Sequence, residues 1–242
     1  MKRVWKAAAA RLLDMMYPRW CVGCGGPAND AEGFLCWNCL AGMPFVHLPF
    51  CARCGDPVEG RVDSSYICYA CTAAEPYFDR ARSAVRYRGV AQQLLRAFKY
   101  DGALWLEPNF HRLLHGCMES QFTDLEADAV VCVPLYPARE RDRGFNQARL
   151  LALGLARQLR KPFLPGCLRR LRPTPTQTHL TAPQRAANVK DAFKVRKPEW
   201  IDGQRLLLVD DVMTTGATVN ECARVLKESG AARVYVATLA RG

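Results

Sequence analysis

Hydrophobic positions follow two different patterns along this chain, and the change comes near residue 77. From residue 78 onward, short apolar runs alternate with segments in which apolar residues recur every three or four positions. The runs predict buried strands, and the periodic segments predict amphipathic helices. Between residues 21 and 76 apolar residues are scattered among glycines and cysteines and follow neither period. We therefore expect two domains, residues 1–76 and residues 77–242.

The second domain has the pattern of an α/β protein. The expected strands are residues 81–89, 128–134, 206–209 and 234–239, with a further short run at 167–171. Apolar residues at helical spacing predict helices between them, for example over residues 90–100 and 106–117. Strands and helices that alternate along a chain form a parallel sheet covered by helices. Ligands of such sheets bind at the carboxyl ends of the strands.

The segment LLLVDDVMTTGAT, residues 206–218, combines a strand, two carboxylates, a Thr/Gly tract and the start of a helix. A loop that leads into a helix N-terminus presents free backbone amides and the positive end of the helix dipole, which suits a phosphate group. Asp210 and Asp211 would repel a phosphate placed on them. We therefore expect them to bind another part of the same ligand, such as sugar hydroxyls, or a metal.

Two further loops are expected to reach the same edge of the sheet, one at 134–146 and a mobile, Pro/Thr-rich one at 172–181. Thr181 and Gln184 have the spacing of a capping box, which predicts a short helix after the second loop. The residues that could contact pyrophosphate or belong to the mobile loop are Arg139, Arg141, Arg143, Gln177 and Arg185. The planar guanidinium group suits phosphate oxygens. The alternative is that these arginines are solvated surface charges.

Eight of the twelve cysteines lie in four C-x-x-C pairs in the first domain. The pairs are Cys21/Cys24, Cys36/Cys39, Cys51/Cys54 and Cys68/Cys71. Two such pairs supply the four thiolates of a tetrahedral zinc site, which leaves no open position for catalysis. A redox motif would require a thioredoxin-like βαβ pattern, which does not surround these pairs. We therefore expect two structural Zn²⁺ sites.

The spacing leaves two ways to share the metals. Sequential pairing would form two stacked ribbons, and interleaved pairing would form a cross-brace; the short spacers favour the sequential arrangement. The other four cysteines stand alone in apolar surroundings, where buried and unreactive thiols are expected. They are Cys117, Cys132, Cys167 and Cys222.

The N-terminal segment and the net charge bear on location and partners. Residues 1–20 are expected to form an amphipathic helix that docks on the body of the protein. No span approaches the roughly 20 apolar residues of a membrane helix, and Arg11 and Asp14 interrupt any signal-peptide core. We therefore expect a cytoplasmic protein. The net charge of +11 would fall to about +7 with two four-thiolate zinc centres. A positive charge of this size suits either contact with nucleic acid or a solvated basic surface.

The segment 206–218 resembles the loop that binds phosphoribosyl diphosphate (PRPP) in type I phosphoribosyltransferases. The resemblance implies that Asp210 and Asp211 hold the 2′ and 3′ ribose hydroxyls and that the amides of the Thr/Gly tract hold the 5′-phosphate. It also implies Mg²⁺, bound together with PRPP. The PRPP-binding residues carried over in this way are Asp210, Asp211, Val212, Met213, Thr214, Thr215, Gly216, Ala217 and Thr218.

Three features together resemble the ComF/GntX family. They are RGFNQ at 143–147, the spaced pattern Q-x-x-L-x-x-x-x-R-x-x-N-x-x-x-A-F at 177–193, and the preceding cysteine pairs. The resemblance implies a double zinc ribbon fused to a type I phosphoribosyltransferase fold. Bacterial members of this family are associated with natural competence, the uptake and use of external single-stranded DNA.

Three functions remain as alternatives. The first is a PRPP-binding protein of competence that binds single-stranded DNA weakly or contacts a competence helicase. Its candidate DNA contacts are Trp20, Trp37, Arg53 and Arg61. The second is an active phosphoribosyltransferase of nucleotide or base salvage with no role in DNA use. The third is a scaffold whose ligand pocket is regulatory. The sequence assigns no residue to catalysis.

Overall fold

The structure is a computed structural model that describes residues 20–28, 34–60, 62, 65–174 and 181–242. The expected N-terminal helix, Arg61 and Gln177 lie outside these residues. The strands in chain order are β1 Arg80–Arg86, β2 Ala129–Cys132, β3 Leu168–Arg170, β4 Phe193–Val195, β5 Arg205–Met213 and β6 Arg233–Arg241. The α-helices are α1 Trp37–Ala41, α2 Tyr69–Ala73, α3 Gly89–Tyr100, α4 Glu107–Gln121, α5 Pro137–Arg143, α6 Gln147–Leu159, α7 Ala182–Val189 and α8 Ala217–Glu228.

The described residues form a parallel sheet of four strands in the order β1-β6-β5-β2. β5 lies in its interior, with Leu206 opposite Ala129 on one side and Val234 on the other. Its apolar run from Leu206 to Val209 is fully buried. A continuous run of this kind is typical of parallel strands that helices cover on both faces. The prediction of a parallel sheet flanked by helices is therefore confirmed.

The helices bury the residues that recur at helical spacing. Leu94 and Phe98 of α3 and Phe110 and Leu114 of α4 have almost no exposed surface. The rings of Phe98 and Phe110 meet edge to face, with centroids 4.9 Å apart. Asn146 caps α6 by accepting a hydrogen bond from the Arg149 amide. These helices begin and end close to the residues that the periodicity predicts.

The segment 167–171 forms a strand outside the parallel sheet. β3 pairs antiparallel with β4, so that Leu168 lies opposite Val195 and Arg170 opposite Phe193. The short strand predicted over 167–171 is therefore present, but it belongs to a separate two-stranded antiparallel pair. Its side chains alternate between buried and exposed, and a strand with one covered face suits antiparallel pairing better than the interior of a parallel sheet.

The loop expected at 134–146 contains the helix α5. Pro137 occupies its first turn, where a missing amide costs no hydrogen bond. Gly144 ends the helix in the left-handed conformation, with φ of +83°. Arg141 and Arg143 lie in its last turn, where positive charge interacts favourably with the helix dipole. The prediction of an arginine-bearing loop is thus corrected to a short arginine-bearing helix.

The cysteine-rich module lies along the outer edge of the sheet. The Val46 amide donates to the Ala84 carbonyl at 3.0 Å, and the Arg86 amide donates to the Pro44 carbonyl at 2.7 Å. Residues 44–46 thus extend the sheet by a short antiparallel pairing with β1 and cover its open edge. None of the helices that the structure describes combines the length and the hydropathy needed to cross a bilayer.

Candidate functional site

A cleft of about 400 Å³ lies at the carboxyl end of β5. β5, α3, α5, α6, β3 and α7 all contribute to its walls, so the three expected loop regions do converge. Its charged lining residues are Lys99, Arg139, Arg143, Arg170, Arg185, Asp210 and Asp211. A concave site with opposed carboxylates and cations at this edge of a parallel sheet is where a ligand is expected.

The two carboxylates and one lysine form the centre of the cleft. The Lys99 ammonium lies 2.9 Å from an Asp211 carboxylate oxygen, and both side chains are more than four-fifths buried. The Asp211 amide donates to the carboxylate of Asp210 at 2.9 Å. Sequence reasoning did not select Lys99 for this site; the last turn of α3 brings it to Asp211 near the end of β5.

Burial changes the protonation of these groups. Burial, and then the neighbouring charge of Asp211, raises the pKa of Asp210 to about 7. Burial alone would lower the pKa of Lys99, but the pull of Asp211 and Asp210 outweighs it and raises that pKa. The cleft therefore holds one firmly protonated ammonium beside a carboxyl pair that resists carrying two negative charges.

The loop between β5 and α8 is shorter than the sequence suggests. β5 continues through both aspartates to Met213, so the loop consists of residues 214–216. Gly216 has φ of +81° and precedes the first residue of α8. A Cβ added there would lie 2.9 Å from the Met213 side chain. The loop is thus packed closely on Met213 where it leads into the N-terminus of α8, a position that suits an anionic group.

A small hollow of about 30 Å³ lies against this loop. Its lining includes Asp210, Thr214, Gly216 and Thr218. The Arg185 guanidinium of α7 donates to the Thr214 hydroxyl at 2.6 Å, so a cation lies beside the loop. The capping box of Thr181 and Gln184 is present and fixes the start of α7. The predicted helix and its arginine therefore lie at the cleft.

The motif RGFNQ is explained by its contacts. Gly144 ends α5, Phe145 packs on Phe98 with ring centroids 5.5 Å apart, and Asn146 caps α6. The Arg143 guanidinium donates to the Gln147 side chain at 2.8 Å and covers the Tyr100 ring. The motif therefore holds one guanidinium group in the wall of the cleft.

The fold places only some of the predicted arginines in the cleft. Arg139, Arg143 and Arg185 line the cleft, whereas Arg141 is exposed and lies outside its lining. Arg170 lines the cleft as well, although sequence reasoning did not select it. Burial, followed by the charge of Arg139, lowers the pKa of Arg143. Crowded, half-buried cations of this kind favour an anionic ligand between them.

The cysteines of the first domain form two groups of four, Cys21, Cys24, Cys36 and Cys39, and Cys51, Cys54, Cys68 and Cys71. The sulfur atoms in each group lie within 4.8 Å of one another. Cys24 and Cys36 sulfurs are 3.6 Å apart, and those of Cys54 and Cys68 are 3.7 Å apart. Tetrahedral zinc with its usual Zn–S distance requires sulfurs about 3.8 Å apart. The donor sets fit zinc, and the sequential pairing is confirmed.

The two groups repeat one local structure. The Gly25 amide donates to the Cys21 carbonyl and the Gly55 amide to the Cys51 carbonyl, both at 2.8 Å. Backbone amides also point at sulfur, as when the Cys68 amide donates to Cys51 at 3.3 Å. Such bonds stabilise thiolate over thiol, which metal binding requires.

Comparison with protein families divides the chain in the same way. Residues 12–72 match the double zinc ribbon domain, and residues 146–242 match the phosphoribosyl transferase domain. The chain therefore combines a double zinc ribbon with a phosphoribosyltransferase fold.

Several characterised proteins resemble this chain over most of its length. Competence protein F of Haemophilus influenzae is 33% identical over 226 residues, which cover 91% of this chain and 96% of that protein. DNA utilization protein YhgH of Escherichia coli K12 is 32% identical, over 86% of this chain and 96% of that protein. Competence protein ComFC of Bacillus subtilis is 28% identical, over 86% and 84% respectively.

Solved structures resemble only part of the chain. Adenine phosphoribosyltransferase of Thermoanaerobacter pseudethanolicus is 16% identical, over 62% of this chain and 84% of that one, with a TM-score of 0.36. An allosteric regulatory enzyme of purine biosynthesis is 23% identical, over 55% and 25%, with a TM-score of 0.37. At these scores the likeness carries no argument about substrate or mechanism.

Proposed function

Since the chain belongs to the ComF family of competence and DNA utilization proteins, we propose that it binds Mg-PRPP in the cleft and serves the use of external single-stranded DNA. The observation that carries the proposal is the order of groups at the end of β5. Two carboxylates are followed by a three-residue loop and by the N-terminus of α8, where the helix dipole presents its positive end. Sugar hydroxyls and a phosphate are the ligand groups that this order suits.

The ribose is proposed to lie on the aspartates. A carboxylate accepts hydrogen bonds from adjacent hydroxyls, and its charge strengthens them. The Lys99 ammonium lies 2.9 Å from an Asp211 oxygen and would position that carboxylate toward the ribose. Hydroxyl donors of the ligand, and a nearby Mg²⁺, would favour the ionised form of Asp210, whose proton would pass to solvent. Mg²⁺ prefers oxygen ligands and is expected to take most of them from PRPP and water.

The phosphate groups are proposed to lie on either side of the ribose. The 5′-phosphate would accept hydrogen bonds from the backbone of the 214–216 loop and the first turn of α8, near the Arg185 guanidinium. The diphosphate would face Arg139, Arg143 and Arg170 across the cleft. Each guanidinium can donate two parallel hydrogen bonds to a phosphate, which gives binding and orientation together.

Two structural Zn²⁺ ions are proposed for the cysteine groups. Each would be held by four thiolates of one group, and the closed coordination assigns them to folding rather than to chemistry. Because the ribbons border β1 through residues 44–46, the metals would also stabilise one edge of the sheet.

Isothermal titration calorimetry with Mg-PRPP tests the proposal. Asp211→Asn is expected to weaken binding about tenfold to a hundredfold, since a charge-assisted hydrogen bond is worth about 1.5–3 kcal/mol. Asp142→Asn is the matched control, because Asp142 is exposed on α5 and outside the cleft lining. Equal affinity of wild type, Asp211→Asn and Asp142→Asn would contradict the assignment.

A second variant tests the phosphate loop separately. Gly216→Val would require a branched residue at φ of +81° and would crowd Met213, so the loop backbone would shift away from the phosphate. We expect loss of PRPP binding with retention of the far-ultraviolet circular dichroism spectrum. Gly203→Val has a comparable φ of +66° with open space around its Cβ and controls for backbone strain alone.

Phosphoribosyl transfer is the second candidate function. Transfer from C1 of PRPP breaks the bond to the diphosphate, and the guanidinium groups facing it would stabilise the charge that develops on that leaving group. Tyr87 and Tyr100 line the same cleft and offer aromatic surface to an acceptor. A coupled assay measures the release of pyrophosphate from Mg-PRPP in the presence of a panel of nucleobases and amines. Release of pyrophosphate would support transfer. If none is released, PRPP binding remains the proposed activity.

A further inference from the structure

β3 and β4 form a small sheet of their own, with one face toward the cleft and the other toward solvent. Arg170 lines the cleft from the inner face. Side chains alternate along a strand, so the neighbouring Arg169 and, on β4, Lys194 lie on the other face, and both are exposed. The Arg196 amide donates to the Cys167 carbonyl at 2.9 Å, so the pairing continues past β4. The exposed Arg196 therefore joins Arg169 and Lys194 on the outer face of this sheet.

The three cations of the outer face repel one another and have no acidic partner in the described part of the chain. Arg169 lies directly opposite Lys194 in the register of the two strands. Like charges at opposed positions destabilise an antiparallel pair. Arg205 of β5, by contrast, lies 2.8 Å from the Asp128 carboxylate, whereas no described carboxylate forms an ion pair with Arg169, Lys194 or Arg196. The outer face thus carries a repulsion that an anionic partner would relieve.

An exposed indole follows these cations along the chain. Trp200 ends the single 3₁₀ turn Pro198–Trp200 and keeps 42% of its surface exposed. The Lys197 ammonium stands 4.2 Å from the centre of its ring, and Glu199 is the only acidic residue from 192 to 201. Proteins bind single-stranded nucleic acid with cations that track the phosphates and aromatic rings on which unpaired bases stack. The outer face and Trp200 together offer both.

We propose that the outer face of β3 and β4 binds a single strand of DNA. Its phosphates contact Arg169, Lys194 and Arg196, and an unpaired base stacks on Trp200. The choice of DNA over other polyanions rests on the proposed function in the use of external single-stranded DNA. Because Arg170 lines the cleft from the inner face, DNA and PRPP would lie on opposite faces of the same two strands and bind at the same time.

The substitution Arg169→Glu separates DNA contact from folding, because its effects on the two have opposite signs. A carboxylate opposite Lys194 replaces repulsion with attraction, so the melting temperature should rise, by up to about 4 °C. The same carboxylate engages Lys194 and repels phosphate, so DNA should bind more weakly. Arg96→Glu is the matched control: Arg96 is exposed on α3, outside the outer face, and its replacement changes the net charge equally.

Fluorescence anisotropy of the full chain with a labelled strand of twelve thymidines measures the affinity at several salt concentrations. Three phosphate contacts predict a log–log salt slope of about −2, and the loss of two of them in Arg169→Glu predicts about −0.7. At the lowest salt concentration, Arg169→Glu should bind about tenfold or more weakly than Arg96→Glu. Equal affinity of these two variants, or no binding of the strand by wild type at low salt, would overturn the proposal.

Two further ligands identify what the face recognises. Trp200→Ala should weaken binding of the thymidine strand about fivefold or more and leave a strand of twelve abasic sites unaffected; an equal effect on both strands would contradict stacking. Polyglutamate of twelve residues represents an acidic protein partner. If it binds wild type as tightly as the thymidine strand and loses as much affinity in Arg169→Glu, the choice of nucleic acid is overturned.

Mg-PRPP distinguishes this face from the cleft. We expect it to bind wild type and Arg169→Glu alike and to leave the thymidine strand bound. Displacement of the strand by Mg-PRPP would indicate that DNA binds in the cleft and would overturn the proposal. Failure of Mg-PRPP to bind wild type would contradict the proposed function of the cleft, while the comparison of Arg169→Glu with Arg96→Glu still decides where DNA binds.

Discussion

Asp210 is the residue whose charge depends most on its neighbours. In the folded protein its pKa is raised to about 7 by burial and by Asp211, whereas an unfolded chain would leave it near its ordinary value of 3.8. The folded state therefore holds the proton more tightly than the unfolded state. The contribution of Asp210 to stability is therefore greatest below about pH 4 and falls as pH rises toward 7, because the buried carboxyl must ionise.

We accordingly expect Asp210→Asn to be more stable than wild type at about pH 8, by about 2–4 °C in melting temperature for each kcal/mol recovered. The difference in melting temperature between Asp210→Asn and wild type should disappear near pH 4.

Asp128 shows the opposite effect, because hydrogen bonds from Arg205 lower its pKa to about 2. Asp128→Asn should therefore destabilise at pH 8. Calorimetry from pH 4 to 8 checks both signs, and a lower melting temperature for Asp210→Asn at pH 8 would contradict the first.

At the scale of elements, the two zinc ribbons repeat one turn but differ in what surrounds it. Gly25 and Gly55 have φ of +72° and +68° and occupy equivalent positions after the second cysteine of a pair. A Cβ at Gly25 meets nothing within 4 Å, whereas at Gly55 it would lie 2.6 Å from the Ala81 carbonyl oxygen of β1. Only the second ribbon is packed this closely on the sheet.

This difference predicts the outcome of a matched pair of substitutions. Gly25→Ala should cost only the backbone strain of a positive φ. Gly55→Ala should cost about 1–3 kcal/mol more, as overpacking does, because the ribbon must move away from β1 and stretch the bond from the Ala81 amide to the Arg53 carbonyl. Thermal denaturation with zinc analysis measures both; equal losses would show that the second ribbon does not depend on this contact.

The boundary between the domains also belongs to this scale. The last cysteine of the two groups of four, Cys71, lies in α2, and β1 begins at Arg80. The division into residues 1–76 and 77–242 stays a prediction. Limited proteolysis followed by mass spectrometry of the fragments would test it.

For the whole molecule, Arg241 links the second zinc ribbon to the proposed PRPP loop. Its guanidinium lies 3.1 Å from the Asp56 carboxylate and donates to the Met213 carbonyl at 3.1 Å. Asp56 follows the turn at Cys54 and Gly55. The ribbon and the end of β5 therefore share one buried side chain.

We expect wild type to carry two zinc ions per chain and Cys54→Ser to carry one, since structural zinc binding is coupled to folding of its module. The α/β domain should stay folded, but Mg-PRPP should bind more weakly because Arg241 loses its Asp56 contact. Cys24→Ser removes the other ribbon's metal without touching this link and should keep more of the affinity. Elemental analysis and titration calorimetry test the pair, and a wild type without zinc would refute the metal assignment.

The positive charge of the molecule leads to a prediction about DNA. Phosphate neutralisation by arginine and lysine releases counterions, so affinity for single strands should fall linearly on a log–log salt plot, with a slope of about −2 for three contacts. Of the candidate contacts, Trp20 and Trp37 are exposed, whereas Arg53 forms an ion pair with Glu75 and donates to the Asp79 backbone carbonyl. Fluorescence anisotropy with labelled oligonucleotides at several salt concentrations measures the slope; no binding at low salt would leave a partner protein, such as a helicase, as the route to DNA.

Sequence alone determined the features that depend on local pattern. The apolar run at 206–209, the helical periodicity of α3 and α4, and the capping box of Thr181 and Gln184 are local, and the structure shows each of them. The four C-x-x-C pairs and the order of groups from Asp210 to Thr218 are local as well, because their chemistry depends on spacing along the chain. These patterns were sufficient for the α/β fold, the double zinc ribbon and the cleft.

Tertiary structure decided which distant residues share a site. Lys99, near the end of α3, reaches Asp211 although it lies 112 positions earlier in the chain, and Arg170 enters the cleft from a strand outside the main sheet. Arg141 leaves the cleft although its neighbours Arg139 and Arg143 line it, because α5 is a helix and turns its side chains in different directions. The direction of a side chain, and which distant residues it lies near, depend on how the helices and strands pack. Spacing along the chain does not contain that information.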